Sequence, residues 1–149
     1  AEIADISMVR KEIEGLALSL SIEHGDDDWE AELVAARHRL SLLEKGSSKD
    51  VEDEEVWEAR HRDFHTALIS GCHSPWLLRI ASLVNDQFDR YRRMAVDNSL
   101  SDTPTSLEHQ KIMEAALRRD AGGAVKLSHE HIDDARALIV ESGAEFIDR

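Results

Sequence analysis

Residues that interrupt helices are scarce in this 149-residue chain, which contains only two prolines and seven glycines. Both residue types destabilise helix interiors, so the long stretches between them are free to be helical. Within these stretches apolar side chains recur at helical spacing, while aromatic residues make up only 5% of the chain. The sequence therefore predicts an all-α protein rather than a β-sandwich or barrel.

Glycine and proline divide the chain into six predicted helices. Gly25, Gly46 and Gly71 are helix stops, whereas Pro75 and Pro104 suit the first helical position. The helices are predicted at 3–24, 26–46, 51–70, 75–96, 104–120 and 122–146, with loops at 46–50 and 98–105. Six helices joined by short loops favour one domain, spanning residues 1–149, with an antiparallel bundle architecture.

Apolar stripes predict which helix faces are buried. Arg10 lies at the edge of the first stripe, and Asn85 lies beside the fourth, where an amide is either a bonded core residue or part of a pocket. The predicted stripe of the first helix is Ile6, Val9, Ile13, Leu16 and Leu20. That of the fourth helix is Leu78, Ala81, Leu83, Val84, Phe88 and Tyr91.

Composition excludes several functional classes. A net charge of −13 would repel a phosphate backbone, so we do not expect this chain to bind DNA directly. No apolar run approaches the ~20 residues that span a bilayer, and no signal peptide is visible, so no membrane partner is expected. The single cysteine, Cys72, cannot form an internal disulfide, which fits a cytoplasmic protein.

The eight histidines fall into two groups. Four occupy helix ends, loops or polar faces, and these are predicted to be surface residues: His24, His38, His73 and His129. The other four lie on the apolar sides of three different helices: His61, His65, His109 and His131. His61 and His65 are four residues apart, so they lie about 40° apart on one helix face.

Buried imidazoles need partners, which are either hydrogen-bond acceptors or a metal ion. The spacing alone leaves both possibilities open, because nothing in the sequence proves that the three helices meet. In a structural dimer without ligand, Ser128, Asn85 or backbone carbonyls would bond to the histidines. In a metal-dependent hydrolase or lyase, Glu58 would be the general base one turn before His61.

Several segments together resemble the FCD domain, the ligand-sensing domain of one branch of the GntR-type bacterial transcription regulators. They are Val9-Arg10 with Glu14, residues 63–68, Ser74-Pro75-Trp76-Leu77, residues 108–116, and Asp120 followed by Ala124 and His131-Ile132. The resemblance covers essentially the whole chain. It implies a bundle of six or seven helices that forms a homodimer and holds a small molecule in a central pocket.

The resemblance also implies a divalent metal ion held by one aspartate and three histidines. His65, His109 and His131 match the three histidines, but His61 stands where the family has aspartate. Either His61 is then a fourth ligand, or metal binding is weakened or absent. An imidazole in place of a carboxylate favours zinc, nickel or copper over manganese or magnesium, so zinc or nickel is the expected cofactor.

The ligand that the resemblance implies is a small carboxylate effector beside the metal. Arg10 matches a family position that faces the pocket, although a salt bridge to Glu14 is an equal alternative, and Asn85 and Arg93 are further candidate contacts. The family's winged-helix DNA-binding domain would precede this chain, so DNA contact is expected only through that missing domain. The interpretation is a sensor rather than an enzyme.

Overall fold

The computed structural model describes residues 2–44, 51–95 and 103–143. Six α-helices follow one another, and no strand occurs among these residues, which confirms the all-α prediction. They are α1 (Glu2–His24), α2 (Asp27–Glu44), α3 (Val51–Ile69), α4 (Pro75–Ala95), α5 (Thr103–Leu117) and α6 (Ala121–Ser142). The predicted loop at 46–50 and residues 98–102 of the predicted irregular stretch lie outside the described residues.

Two helices end earlier than predicted. The residue after α6, Gly143, adopts a left-handed conformation (φ 77°) and donates its N–H to the Val140 carbonyl, which ends α6 at Ser142. α5 ends at Leu117 rather than at residue 120, because Arg119 adopts a left-handed conformation (φ 61°) and the N–H groups of Arg119 and Asp120 turn back to the Ala116 and Ala115 carbonyls; the Asp120 side chain then caps α6 by accepting a hydrogen bond from the Gly123 N–H. The capping residues therefore decide both boundaries.

α1 is the central helix of the bundle, since it packs against α3, α4 and α6. Its buried face differs from the predicted stripe: Leu16 is 53% exposed and Val9 is also exposed, whereas Arg10 and Glu14 are buried. The polar groups on this face are satisfied locally, because Arg10 pairs with Glu14 and Ser7 donates to the Ile3 carbonyl. Such pairing lets a helix bury polar side chains at little cost.

The predicted stripe of α4 also contains an exposed residue. Leu83 lies on the surface, while Ala81 and Phe88 are buried. The prediction failed here because a 3.6-residue period does not distinguish the face that meets the core from an apolar face that remains on the surface.

Buried apolar side chains form two clusters. Trp29, Leu33 and Phe64 belong to the larger cluster, and Phe88 and Tyr91 belong to the smaller one. Buried polar side chains contact both, since the rings of His65 and His109 lie against Phe64 and the guanidinium of Arg10 lies 4.4 Å from the ring centre of Phe88.

Trp29 fixes the end of α3 against the turn between α1 and α2. Its indole Nε1 donates to the Ala67 carbonyl at 2.9 Å. A Cβ at Gly25 would lie 2.4 Å from the indole, so this position requires glycine, and one at Gly71 would make a tight contact with the indole at 3.1 Å. The contact positions α3, the helix that carries His61 and His65.

Candidate metal centre

The two histidines of α3 lie side by side in the protein interior. His61 and His65 are both buried, and their Nε2 atoms are 3.2 Å apart. One of these nitrogens must donate a hydrogen bond to the other, because two imidazole lone pairs would repel each other at this distance. The i, i+4 spacing on a regular helix brings the rings together, as the sequence predicts.

His109 of α5 and His131 of α6 complete a four-histidine cluster. Both are buried, and their ring centres are 4.7 Å apart. Each of the four histidines offers a ring nitrogen, and these four nitrogens lie within 4.8 Å of one another. A tetrahedral zinc site with ~2.05 Å bonds needs donor separations of ~3.3 Å, so side-chain movements of about an ångström would form one.

Aromatic side chains hold the imidazole rings in place. The Trp57 ring stacks on His61 with 4.6 Å between ring centres and 13° between planes. Phe64 contacts His65 and His109 at 5.4 Å and 5.1 Å between ring centres. The rings are therefore oriented before any ligand arrives.

Two carboxylates accept hydrogen bonds from ring nitrogens on the outer side of the cluster, which are the Nδ1 atoms of His109 and His131. His109 Nδ1 donates to Glu44 at 2.9 Å, and His131 Nδ1 donates to Glu108 at 3.3 Å. Neither glutamate is among the site residues predicted from the sequence. A signal for Glu44 was present, because Arg37 and Glu44 are spaced at i, i+7 along the buried Leu33–Leu40 face of α2.

Burial keeps three of the four imidazoles, those of His61, His65 and His109, uncharged at neutral pH. It lowers the pKa of His61 and of His65 well below 6.5, and repulsion between neighbouring imidazoles adds to the effect. Burial likewise lowers the pKa of His109 to about 4, although the hydrogen bond to Glu44 opposes it. Neutral imidazoles keep the lone pairs that a metal ion needs.

The ring nitrogen of His109 on the side of the other three imidazoles, Nε2, makes no hydrogen bond. His109 Nε2 is fully buried and has no hydrogen-bond partner. A buried polar atom without a partner costs about 1–3 kcal/mol, and here it lies in a cluster of four imidazoles. The donor set and this orphaned atom fit a divalent metal ion of the kind that imidazole prefers.

The three predicted effector contacts have different surroundings. Arg10 and Asn85 line a cleft of about 30 Å³ that reaches His65, whereas Arg93 is exposed and is not among the residues that line it. α1, α3 and α4 form the walls of the cleft. The lining residues are Arg10, Arg62, His65, Thr66, Ser82, Asn85, Asp86 and Asp89.

Arg10 lines the cleft and also forms the predicted salt bridge with Glu14 at 3.2 Å. Asn85 Oδ1 is buried and has no hydrogen-bond partner, which leaves an acceptor available beside the cleft. An Arg62–Asp86 ion pair joins α3 to α4 at the cleft. Arginine and an unpartnered amide next to an imidazole cluster suit a small polar ligand.

Arg92, the neighbour of Arg93, is the buried arginine of this segment. It donates to both carboxylate oxygens of Glu58, at 3.0 Å and 2.5 Å, and to Asp89 at 3.3 Å. Two bonds to arginine hold Glu58 in place and occupy both of its oxygens. This arrangement disfavours Glu58 as the general base of a hydrolase.

The remaining histidines lie away from the cluster. His24, His38 and His73 are exposed as predicted, whereas His129 is half-buried, with Nε2 2.9 Å from the Lys11 carbonyl oxygen. The four cluster histidines bond to carboxylates and to each other, not to the Ser128 or Asn85 side chains considered in the structural alternative. Among the described helices, none is long and apolar enough to cross a membrane.

The chain is similar in sequence to one protein family and to two transcriptional regulators. The sequence model of one family, described as the FCD domain, matches residues 5–134. The chain is 36% identical to an uncharacterized HTH-type transcriptional regulator, BphR, of Paraburkholderia xenovorans (strain LB400), over 95% of this chain and 58% of the regulator. It is 35% identical to the HTH-type transcriptional repressor GlaR of Escherichia coli (strain K12), over 88% of this chain and 61% of the repressor.

The chain thus spans about three fifths of the length of these regulators. Among solved structures, E. coli McbR/YncC superposes with a TM-score of 0.76 over 93% of this chain and 64% of that chain. The metal-free FCD domain of TM0439 superposes with a TM-score of 0.73 over 94% of this chain and 92% of that chain. Sequence identity is 17% in both cases, so these structures show the shared fold alone.

Proposed function

The chain belongs to the FCD domain family, and on this premise we propose that it is the effector-sensing half of a GntR-type transcription regulator. In this proposal His61, His65, His109 and His131 hold a divalent metal ion. The observation that carries it is the buried, unpartnered Nε2 of His109 within a cluster of four buried imidazoles. An all-nitrogen donor set favours zinc or nickel.

The proposed effector is a small carboxylate in the cleft beside His65. Arg10 would supply positive charge from α1, and Asn85 would accept a hydrogen bond from the effector. A volume of about 30 Å³ holds roughly two water molecules. The effector would therefore enter only if α3 and α4 separate or the Arg62–Asp86 pair opens, which couples binding to helix position.

Regulation would follow from this coupling if the effector changes the relative populations of two dimer arrangements. An effector that binds more tightly to one arrangement of a dimer favours that arrangement. In the full-length regulator, two DNA-binding domains attached to the N-terminal ends of this dimer would change their spacing. The whole protein would be a DNA-binding regulator rather than an enzyme, as its relatives' names indicate for those proteins.

A thermal-shift screen of zinc with small mono- and dicarboxylates tests this function. We expect zinc to raise the melting temperature, and at least one carboxylate to raise it further only when zinc is present. Arg10→Gln should keep the zinc shift and lose the carboxylate increment, because it removes the cation and not a metal ligand. No shift with zinc or nickel in protein purified without a histidine tag would refute the metal centre.

We propose that a homodimer forms through an apolar surface on α1 and α4. Trp76 is 70% exposed and Leu83 is 64% exposed on α4, and Leu16 is exposed on α1, which packs against α4. Apolar side chains of this size are normally covered by a partner when they cluster. A second copy of the chain is the proposed partner, because the sensing mechanism above requires two chains.

Leu83→Asp is expected to convert a dimer to a monomer, because the new carboxylate would be buried without a partner at the interface. Sedimentation velocity of the metal-loaded protein measures the change. Leu42→Asp is the matched control, since Leu42 on α2 is 53% exposed and lies away from α1 and α4. Equal sedimentation of both variants and the wild type would count against this dimer surface.

A further inference from the structure

We propose that Glu44 is the positioning residue of the metal centre: held by Arg37, it makes His109 present Nε2 to the metal ion. The inference rests on the proposed metal centre and deepens it. Glu44 would not touch the metal itself. It would act through the imidazole of His109, which lies between Glu44 and the other three histidines.

The three side chains form a buried chain of hydrogen bonds. Glu44 Oε2 accepts from His109 Nδ1 at 2.9 Å, and Glu44 Oε1 accepts from Arg37 Nη1 at 2.6 Å. The Glu44 side chain is 1% exposed, and those of Arg37 and His109 are equally inaccessible to solvent. An ionised carboxylate at such a position is tolerated only when both of its oxygens are paired, as they are here.

Arg37 connects this chain to the helix that carries His109. Its Nη2 donates to the Ser106 carbonyl at 3.0 Å and to the Ser106 hydroxyl at 3.1 Å. Ser106 lies three residues before His109, one turn earlier on α5. Arg37 therefore fixes both the carboxylate and the turn preceding His109, so the imidazole is constrained from two sides.

The geometry selects one tautomer of His109. A neutral imidazole carries one N–H, and a carboxylate can only accept, so the proton belongs on Nδ1. The Nε2 lone pair then faces the cluster, where it has no partner. The other tautomer would place two lone pairs against each other at 2.9 Å and would direct an N–H at the metal position.

Glu108 beside His131 provides an internal comparison. Its bond to His131 is longer, at 3.3 Å, and its side chain is 26% exposed, so water can replace it as an acceptor. Arg37 also cancels the charge of Glu44, which means that Glu44 acts by orientation rather than by adding negative charge. Outer carboxylates that orient ligand histidines typically contribute a factor of about 10–100 in metal affinity.

Glu44→Gln is the test, with zinc affinity measured by competition with a chromophoric chelator. We expect zinc binding to weaken about 10–100-fold, because the glutamine amide can donate to Nδ1 and so allow the wrong tautomer. Glu108→Gln should weaken binding less. Glu30→Gln is the matched control. Glu30 lies on α2, as Glu44 does, and it also pairs with an arginine, Arg119, but at the protein surface.

The second readout is the ¹⁵N chemical shift of the His109 ring nitrogens in metal-free protein. We expect the Nδ1–H tautomer in the wild type, and a mixture of tautomers or the Nε2–H form in Glu44→Gln. Either an unchanged zinc affinity or an unchanged tautomer in Glu44→Gln would overturn the proposal. An Nε2–H tautomer in the wild type would overturn it even if the variant failed to fold.

These readouts separate two kinds of failure. A wild-type protein that binds no zinc but contains His109 as the Nδ1–H tautomer would refute the metal centre and retain the role of Glu44 in orienting the ring. A wild-type protein that binds zinc with the same affinity as Glu44→Gln would retain the metal centre and refute the role of Glu44.

Discussion

His65→Gln is expected to abolish the stabilisation that zinc gives to the wild-type protein. His65 lies at the middle of the cluster, with Nε2 3.2 Å from His61 and its ring centre 5.3 Å from those of His109 and His131. Zinc at 100 times its dissociation constant should stabilise the wild type by about 2.7 kcal/mol. For a domain of this size that is a rise of roughly 5–11 °C in melting temperature.

Differential scanning fluorimetry with zinc and with EDTA measures this effect. His38→Gln is the control, because His38 is exposed on α2 and should leave the zinc shift intact. Glutamine preserves hydrogen bonding but is a poor zinc ligand, so the variant distinguishes a metal site from a hydrogen-bonded core. A full zinc shift in His65→Gln would contradict the four-histidine centre.

The metal-free protein is expected to lose stability steeply as the pH falls below about 6.5. His61, His65 and His109 have pKa values well below 6.5 in the folded protein, whereas in the unfolded chain they titrate near 6.5. Below that pH the unfolded chain binds more protons than the folded protein, so acid favours unfolding. Each such histidine lowers the free energy of unfolding by about 1.4 kcal/mol per pH unit.

Urea unfolding in EDTA between pH 7.5 and 4.5 measures the slope. The loss due to His109 continues until the pH reaches its folded pKa of about 4. The pKa values of Glu44 and Glu108 are lowered below 4.5, so these carboxylates contribute to the loss of stability only at pH values below 4.5. His65→Gln should bind about one proton fewer on unfolding, which reduces the slope of the unfolding free energy against pH between pH 6.5 and 4.5. A flat profile in the wild type would contradict buried neutral histidines.

Local sequence signals predicted the helices well and the buried faces less well. Gly71 and Pro75 bound the break between α3 and α4, because their backbone preferences act within a few residues. The stripe on α1 was misassigned, with Leu16 exposed and Arg10 buried. Periodicity reports that a helix has an apolar face, but only the packing of α1 against α3, α4 and α6 decides which residues are covered.

The candidate site shows the same division. His61 and His65 follow from i, i+4 spacing on one helix, and His109 and His131 follow from their positions on the apolar sides of α5 and α6, which agree with the family resemblance. Glu44 was not anticipated, because it is 65 residues away from His109 and the contact depends on how α2 meets α5. Arg93, a predicted effector contact, is exposed and does not line the cleft, whereas its neighbour Arg92, 100° further back around α4, is buried.

The sequence by itself determined the helical composition, the approximate helix boundaries and the identity of the four histidines. These depend on short-range backbone preferences and on the 3.6-residue period. Only the tertiary structure decided that the four imidazoles meet, that Glu44 and Glu108 bond to their outer nitrogens and that His109 Nε2 remains unpartnered. Such contacts join residues on different helices, so their geometry is set by packing of the whole bundle.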